Sequence, residues 1–147
     1  MNINKLQNNL SVGEAFLVIS PENRRYLTGV ASSDGYLLIT KTESVFLTDS
    51  RYIEAAQNEI TDCSEVALLK SFSEQLPGYI EKLGIKTVFT EAEKLSVAEF
   101  SKMQKTMPCK CIAEKTDNAI NSLRRIKSDN EKQKILAAQA IAEKAFD

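Results

Sequence analysis

The sequence predicts an α/β domain whose mixed β-sheet carries helices on both faces. Two β-rich runs, 35–40 and 44–49, are separated by only three residues. That gap is too short for a parallel crossover, so it predicts an antiparallel hairpin. Strand and helix patterns then alternate over 65–113, which predicts parallel strands joined by helical crossovers. A chain of 147 residues buries roughly 70% of its unfolded surface, enough for a core without disulfides.

The elements before the hairpin follow from short local signals. Apolar residues at helical spacing open the chain, and the apolar run Ala15–Ile19 predicts a strand buried on both faces. Ser20-Pro21 combines a favourable N-cap with a favourable first helical residue, so a short helix should follow. After the hairpin, Asp49 or Ser50 can cap a helix over 51–58.

The second half is marked by three Ser-x-x-Glu segments, beginning at Ser71, Ser96 and Ser128. Each is a capping-box signature and predicts a helix start. Asp117 is expected to cap a further short helix. The predicted strands are 65–69, 87–90 and 109–113, and the predicted helices cover 71–83, 96–105, 117–123 and the residues from 128 onward.

Composition excludes several function classes. The chain has 19 Lys+Arg, 20 Asp+Glu and no histidine. A balanced charge gives no electrostatic basis for non-specific nucleic-acid binding. Without imidazole, Ser-His-Asp and Cys-His catalysis are excluded, as are metal sites that need histidine. An enzyme built from this chain alone would have to use carboxylate, Lys, Tyr or Cys side chains, and we predict no catalytic and no metal-binding residue in it.

The cysteines and the apolar runs indicate a cytoplasmic protein. Cys109 and Cys111 would share one face of a strand, where two small core residues are expected rather than a zinc or redox site. The longest apolar run has five residues, against about 20 needed to span a bilayer. The N-terminus shows no targeting segment.

The C-terminal pattern differs from the rest. From Ser128 the sequence is helical, with Ile135, Ala138 and Ala142 on one side, and it shows no stop signal before Asp147. We expect a domain over 1–123, and a junction with a helix over 124–147 that leads into a further segment. The basic run 124–127 is interpreted as a solvated junction.

Four ordered blocks carry a family resemblance. They are Asn23-Arg-Arg-Tyr-Leu-Thr-Gly29, Ser33-x-Gly-Tyr-Leu-Leu-Ile-Thr40, Thr48-Asp-Ser-Arg-Tyr52 and the junction Leu123–Glu131. Their order and spacing resemble the creatinase/prolidase N-terminal domain of Xaa-Pro aminopeptidases and prolidases. The chain departs from that pattern in its loops and helices, with Ser50 and Ala56 at positions where Gly and Gln are common.

The resemblance implies an RNase H-like fold and a non-catalytic role. In that family the N-terminal domain assembles dimers or tetramers and walls the mouth of the active site. The parent protein cleaves the peptide bond N-terminal to proline. It uses two divalent metals, usually manganese, held by two Asp, one His and two Glu of a C-terminal catalytic domain. The partners implied are that catalytic domain and further copies of the chain, with no nucleic acid and no membrane.

Five residues of these blocks are candidates for an interface or the substrate mouth: Arg51, Tyr52, Tyr26, Asn23 and Asp49. Each also has a purely structural interpretation. Arg51 could pair with Asp49 or Glu54, the tyrosines could belong to the core edge, and Asn23 and Asp49 could begin helices.

Two other functions stay open at this point. The chain could be a stand-alone α/β module that binds a small molecule or a protein. It could also be a nuclease on an RNase H-like scaffold, with Asp49 as a metal ligand. The parent could equally be a creatinase or an inactive relative, because the distinguishing ligands would lie outside this chain.

Overall fold

A computed structural model describes residues 2–146 of the chain. Within that range no helix combines the length and apolarity needed to cross a membrane. The strands are β1 (Glu14–Val18), β2 (Tyr36–Thr40), β3 (Ser44–Thr48), β4 (Glu65–Leu68), β5 (Thr87–Thr90) and β6 (Lys110–Ile112). The helices are α1 (Asn2–Gln7), α2 (Pro21–Thr28), α3 (Ile53–Glu59), α4 (Phe72–Lys82), α5 (Val97–Thr106), α6 (Thr116–Arg125) and α7 (Asp129–Lys144).

The strands form one mixed sheet in the order β4-β3-β2-β1-β5-β6. The predicted hairpin is confirmed, since β2 and β3 pair antiparallel. β2 is also antiparallel to β1, whereas the β1–β5, β5–β6 and β3–β4 pairs are parallel. Therefore β1, β3, β4, β5 and β6 run in one direction, and their carboxyl ends meet at one edge of the sheet.

Helices cover both faces, as predicted. Alternate side chains of each strand enter different apolar clusters, as the period of two in a strand requires. One cluster packs α1, α2, α3 and α6 against strand residues that include Phe16, Leu37 and Phe46. The other packs α4 and α5 against Leu17 and Leu38 on the opposite face. Cys109 and Cys111 are core residues, as predicted. Cys111 is buried in this second cluster and Cys109 packs against it.

The capping-box predictions are confirmed at Ser96 and Ser128 and wrong at Ser71. The Ser71 side chain makes no capping bond to α4. Instead the side-chain oxygen of Gln75 accepts hydrogen bonds from the Lys70 and Ser71 backbone amides at 2.5 and 3.0 Å. The side chain of Gln75 thus makes the contact that was expected of Glu74, one residue earlier in the helix.

The prediction for Asp117 is also wrong. This residue lies inside the first turn of α6 and is nearly buried. Its carboxylate accepts hydrogen bonds from the Ala92 and Glu93 amides at 2.6 and 3.4 Å. Asp117 therefore fixes the turn that follows β5 rather than the start of its own helix. The division into 1–123 and 124–147 stays a prediction, and α6 crosses that boundary by two residues.

Gly35, at the start of β2, has a backbone that only glycine fits. Its φ is +142°, and a Cβ placed there would lie 2.4 Å from the Leu47 carbonyl oxygen. We predict that Gly35→Ala lowers the free energy of unfolding by at least about 2 kcal/mol, because both the backbone conformation and the β2–β3 contact resist the methyl group.

Gly78→Ala is the matched control. Gly78 is exposed within α4, and a Cβ there meets nothing within 4 Å. Gly78→Ala should raise the free energy of unfolding by up to about 1 kcal/mol, because alanine is the better helix former. Urea unfolding of both variants measures the difference, and an equally mild effect at Gly35 would contradict the assignment.

Candidate functional site

Three of the five candidate residues lie together where β3 ends. Asp49, Arg51 and Tyr52 connect β3 to α3, at the sheet edge where the parallel strands finish. In open α/β sheets this edge is the usual position of binding sites. The three residues and Ser33 form what we call the Arg51 group.

Arg51 and Asp49 form an ion pair, one of the two pairings anticipated from the sequence. Arg51 Nη2 lies 2.5 Å from Asp49 Oδ2, and Arg51 Nε lies 3.1 and 3.2 Å from the two carboxylate oxygens. The Arg51 backbone amide also donates to Asp49 Oδ1 at 2.9 Å. Asp49 therefore holds both the backbone and the side chain of Arg51, and α3 begins only at Ile53, later than predicted.

The rest of the Arg51 group is polar and accessible. Arg51 Nη2 donates to Ser33 Oγ at 3.3 Å, and Ser33 Oγ lies 3.2 Å from the Tyr52 hydroxyl. The Arg51 guanidinium lies 5.3 Å from the centre of the Tyr52 ring, within cation–π range. The Arg51 side chain is 65% exposed. Asp49 occupies one edge of the guanidinium, so an added carboxylate would meet the remaining Nη1 edge.

The hydrogen bonds to Arg51 hold the pKa of the Asp49 carboxyl below its ordinary value, and the same bonds raise the pKa of Arg51. The pair is therefore fully charged at neutral pH. Its contribution to stability is present above the ordinary aspartate pKa and is lost as the pH falls through the lowered value. Solvent exposure keeps that contribution small.

The other two candidates, Asn23 and Tyr26, lie on α2 in a second group. Asn23 is only 4% exposed, and both ends of its amide are bonded. Asn23 Nδ2 donates to Glu91 Oε1 at 2.6 Å, and Arg124 Nη1 donates to Asn23 Oδ1 at 2.8 Å. Tyr26 is half-buried, with the Arg124 guanidinium 5.8 Å from its ring centre. This group joins α2 to the end of α6.

Glu91, directly after β5, is the central residue of that second group and was missed by sequence reasoning. It is completely buried. Its carboxylate accepts the Ile19 and Ser20 amides at 2.5 and 2.8 Å and the Ser20 hydroxyl at 2.6 Å, in addition to Asn23. The predicted N-cap Ser20 is at the right position, but its hydroxyl donates to Glu91 and makes no capping bond to α2.

Arg24 is a second buried residue that the sequence did not single out. It is 2% exposed, and its guanidinium donates to the carbonyl oxygens of Ile19, Ser32 and Gly35, the last two at 2.8 and 2.6 Å. Burial lowers the pKa of Arg24, with Asp34 and Glu91 opposing that effect. The side chain thus ties the loop before β2 to the end of β1.

The metal pair implied by the resemblance does not fit this chain. The ligand set requires a histidine, and the sequence has none. Over residues 2–146 the structure also contains no group of three or more Asp, Glu, Cys or His side chains arranged to hold a metal ion. We therefore derive no catalytic step from these residues.

Comparison with known proteins decides the family. Residues 4–126 match the sequence profile described as the creatinase/prolidase N-terminal domain. The chain belongs to this family. The match begins inside α1 and extends past the end of α6. It therefore includes both the Arg51 group and the second group, which is centred on Glu91 and which we call the Glu91 network.

Similar proteins include Xaa-Pro peptidases. The chain is 39% identical over 83 residues to a Mycoplasma genitalium protein named as an Xaa-Pro aminopeptidase, covering 56% of this chain and 23% of that protein. Among solved structures, the Pyrococcus horikoshii prolidase superposes with a TM-score of 0.80 at 26% identity, over 99% of this chain and 41% of that one.

The X-Pro aminopeptidase of Thermotoga maritima superposes with a TM-score of 0.78 at 27% identity, over 96% of this chain and 41% of that one. The chain therefore spans well under half the length of these relatives. Their structures share the mixed sheet and helices described above, which confirms the predicted fold.

The Glu91 network yields a test by chemical rescue. We predict that Glu91→Ala lowers the free energy of unfolding by about 3–5 kcal/mol, because it leaves several buried donors without an acceptor. Added formate or acetate should restore part of the loss by entering the vacated space.

Glu93→Ala, at an exposed position two residues away, is the control and should change stability by about 0.5 kcal/mol or less. Thermal unfolding in formate and in chloride at equal ionic strength measures the rescue. A mild loss at Glu91, or equal stability of Glu91→Ala in both salts, would contradict the assigned role.

The Arg51–Asp49 pair yields a pH test. Arg51→Met removes the donors that favour the ionised carboxyl, so the pKa of Asp49 should rise toward its ordinary value. Carbon-detected NMR titration of the aspartate carboxyl signals measures the shift. Arg25→Met, on exposed α2 surface, should leave the Asp49 titration unchanged, and an unchanged Asp49 pKa in Arg51→Met would refute the pair in solution.

Proposed function

We propose that this chain acts as the non-catalytic N-terminal domain of a cytoplasmic Xaa-Pro peptidase. The observation that carries the proposal is the family match over residues 4–126, together with relatives named as Xaa-Pro aminopeptidases and prolidases that are much longer than this chain. The parent would hydrolyse the peptide bond N-terminal to proline, and this domain would support assembly and shape access to the active site.

The exposure of helix α7 supports the presence of a second domain next to this one. None of its residues described by the structure is buried. Ile135, Leu136 and Ile141 are 53, 62 and 72% exposed, and small apolar residues fill most of the remaining positions after Lys134. Seven of the ten residues over 135–144 are apolar, and an exposed apolar stretch of this kind is normally covered. We assign the cover to the catalytic domain of the parent.

Catalysis in the parent would depend on two divalent metals, with manganese as the expected ion. Two metals can generate hydroxide near neutral pH and stabilise both sides of the tetrahedral intermediate. Their ligands, two Asp, one His and two Glu, would come from the catalytic domain. The role of this chain would then be positional.

The Arg51 group supports a place at the substrate mouth or at a contact between subunits of a homodimer or homotetramer. It combines an exposed guanidinium, a tyrosine hydroxyl and a serine hydroxyl in a fixed arrangement. Arginine and tyrosine are the residue types most enriched at energetically important interface positions. The pairing with Asp49 would fix the direction of the guanidinium before any partner arrives.

Expression of the gene with everything encoded after Asp147 tests the proposal. The longer protein should cleave an Xaa-Pro dipeptide or an Xaa-Pro-Xaa tripeptide in the presence of manganese, and residues 1–147 alone should not. Cleavage by residues 1–147, or a longer protein that lacks the five ligands and cleaves neither peptide, would refute it.

The double variant Leu136→Gln/Ile141→Gln separates this proposal from a stand-alone module. Because neither side chain is buried, the free energy of unfolding of residues 1–147 should change by about 0.5 kcal/mol or less. In the longer protein the same change should lower the melting temperature and the activity. A large loss of stability in residues 1–147 would mean that α7 packs on its own domain.

A further inference from the structure

The junction between α6 and α7 must set the direction of α7 without help from packing. No residue of α7 is buried and all but Glu131 are exposed, and Ile126, the first residue after α6, is 80% exposed with extended backbone. Apolar contacts therefore do not fix the direction in which α7 leaves the domain. The interactions left to fix that direction are the hydrogen bonds around the junction.

Most of those hydrogen bonds are local. Ser128 and Glu131 form the capping box of α7, and the Lys127 ammonium donates to the Arg124 carbonyl oxygen. The bond from Arg124 Nη1 to Asn23 Oδ1 is different, because it joins residues 101 positions apart. It connects the exposed end of α6 to a buried side chain in the first turn of α2.

Asn23 can present its oxygen to Arg124 in only one orientation. The oxygens of Glu91 act as acceptors for the donors around them, so the Asn23 amide turns its nitrogen toward Glu91. Its oxygen is then directed at Arg124, where the guanidinium donates a charge-assisted bond. The buried carboxylate thus determines the position of an arginine at the surface.

We propose that the hydrogen-bonded chain Glu91–Asn23–Arg124 fixes the direction in which α7 leaves the domain. Asn23 and Arg124 are then positioning residues for the segment that covers α7. Asn23 acts from inside the fold rather than at an exposed interface. The Tyr26 ring, 5.8 Å from the Arg124 guanidinium, limits the side chain on a second side.

Arg124→Met is the test, because it keeps the apolar stem and removes the donors while the Asn23–Glu91 bond remains. Arg125→Met is the matched control, since Arg125 is the exposed neighbour and makes no side-chain hydrogen bond within residues 2–146. Both variants carry Leu136→Gln and Ile141→Gln, which reduce self-association through α7. NMR residual dipolar couplings report the orientation of α7 relative to the sheet.

The reference protein carries only Leu136→Gln and Ile141→Gln. In this protein and in Arg125→Met, one alignment tensor should fit the amides of the sheet and of α7. In Arg124→Met the sheet couplings should stay the same while the α7 couplings shrink and depart from that tensor. Backbone order parameters over 126–128 should fall from about 0.85 to below about 0.6. Unchanged α7 couplings in Arg124→Met, equal effects of both variants, or averaged α7 couplings in the reference protein would each overturn the proposal.

Discussion

The buried carboxylate of Glu91 is the constraint on which the rest of the structure depends. It lies where β1 and β5 end side by side, with α2 leaving toward one face of the sheet and α5 toward the other. A buried carboxyl group without hydrogen-bond partners costs free energy. The amides of Ile19 and Ser20 and two side-chain donors offset that cost. The start of α2 and the orientation of Asn23 follow from this one group.

The position of Glu91 also explains why the amides that precede α2 are not free to bind an anionic ligand. In open α/β sheets, phosphate groups bind at such a crevice, because the N-terminus of a helix presents free amides there. Here Glu91 already accepts the amides that precede α2. The protein's own carboxylate takes the place of an anionic ligand. Two accessible features of the described residues, the Arg51 group and α7, are suited to contacts with protein.

Sequence reasoning succeeded for most contacts between near neighbours in the sequence, although at Ser71 the nearby Gln75 replaced the expected glutamate. The hairpin, the capping boxes at Ser96 and Ser128, and the Arg51–Asp49 pair all join residues within a few positions of one another. It failed where a distant donor competes for the same side chain. The partners of Glu91 lie 68 to 72 positions away, and Asp117 is drawn to amides 24 and 25 positions away. Local spacing carries no information about such partners.

The order of these contacts indicates how a rigid core can position a second domain, as the proposed role requires. The two apolar clusters are complete without α7, so the domain does not need that helix for its core. An uncovered helix would rotate freely if only its connecting residues held it. The Glu91–Asn23–Arg124 chain runs from a completely buried carboxyl group to the last turn of α6, directly before that connection. A rigid core can in this way determine where a second domain sits relative to the Arg51 group, which is what the proposed place at a substrate mouth requires.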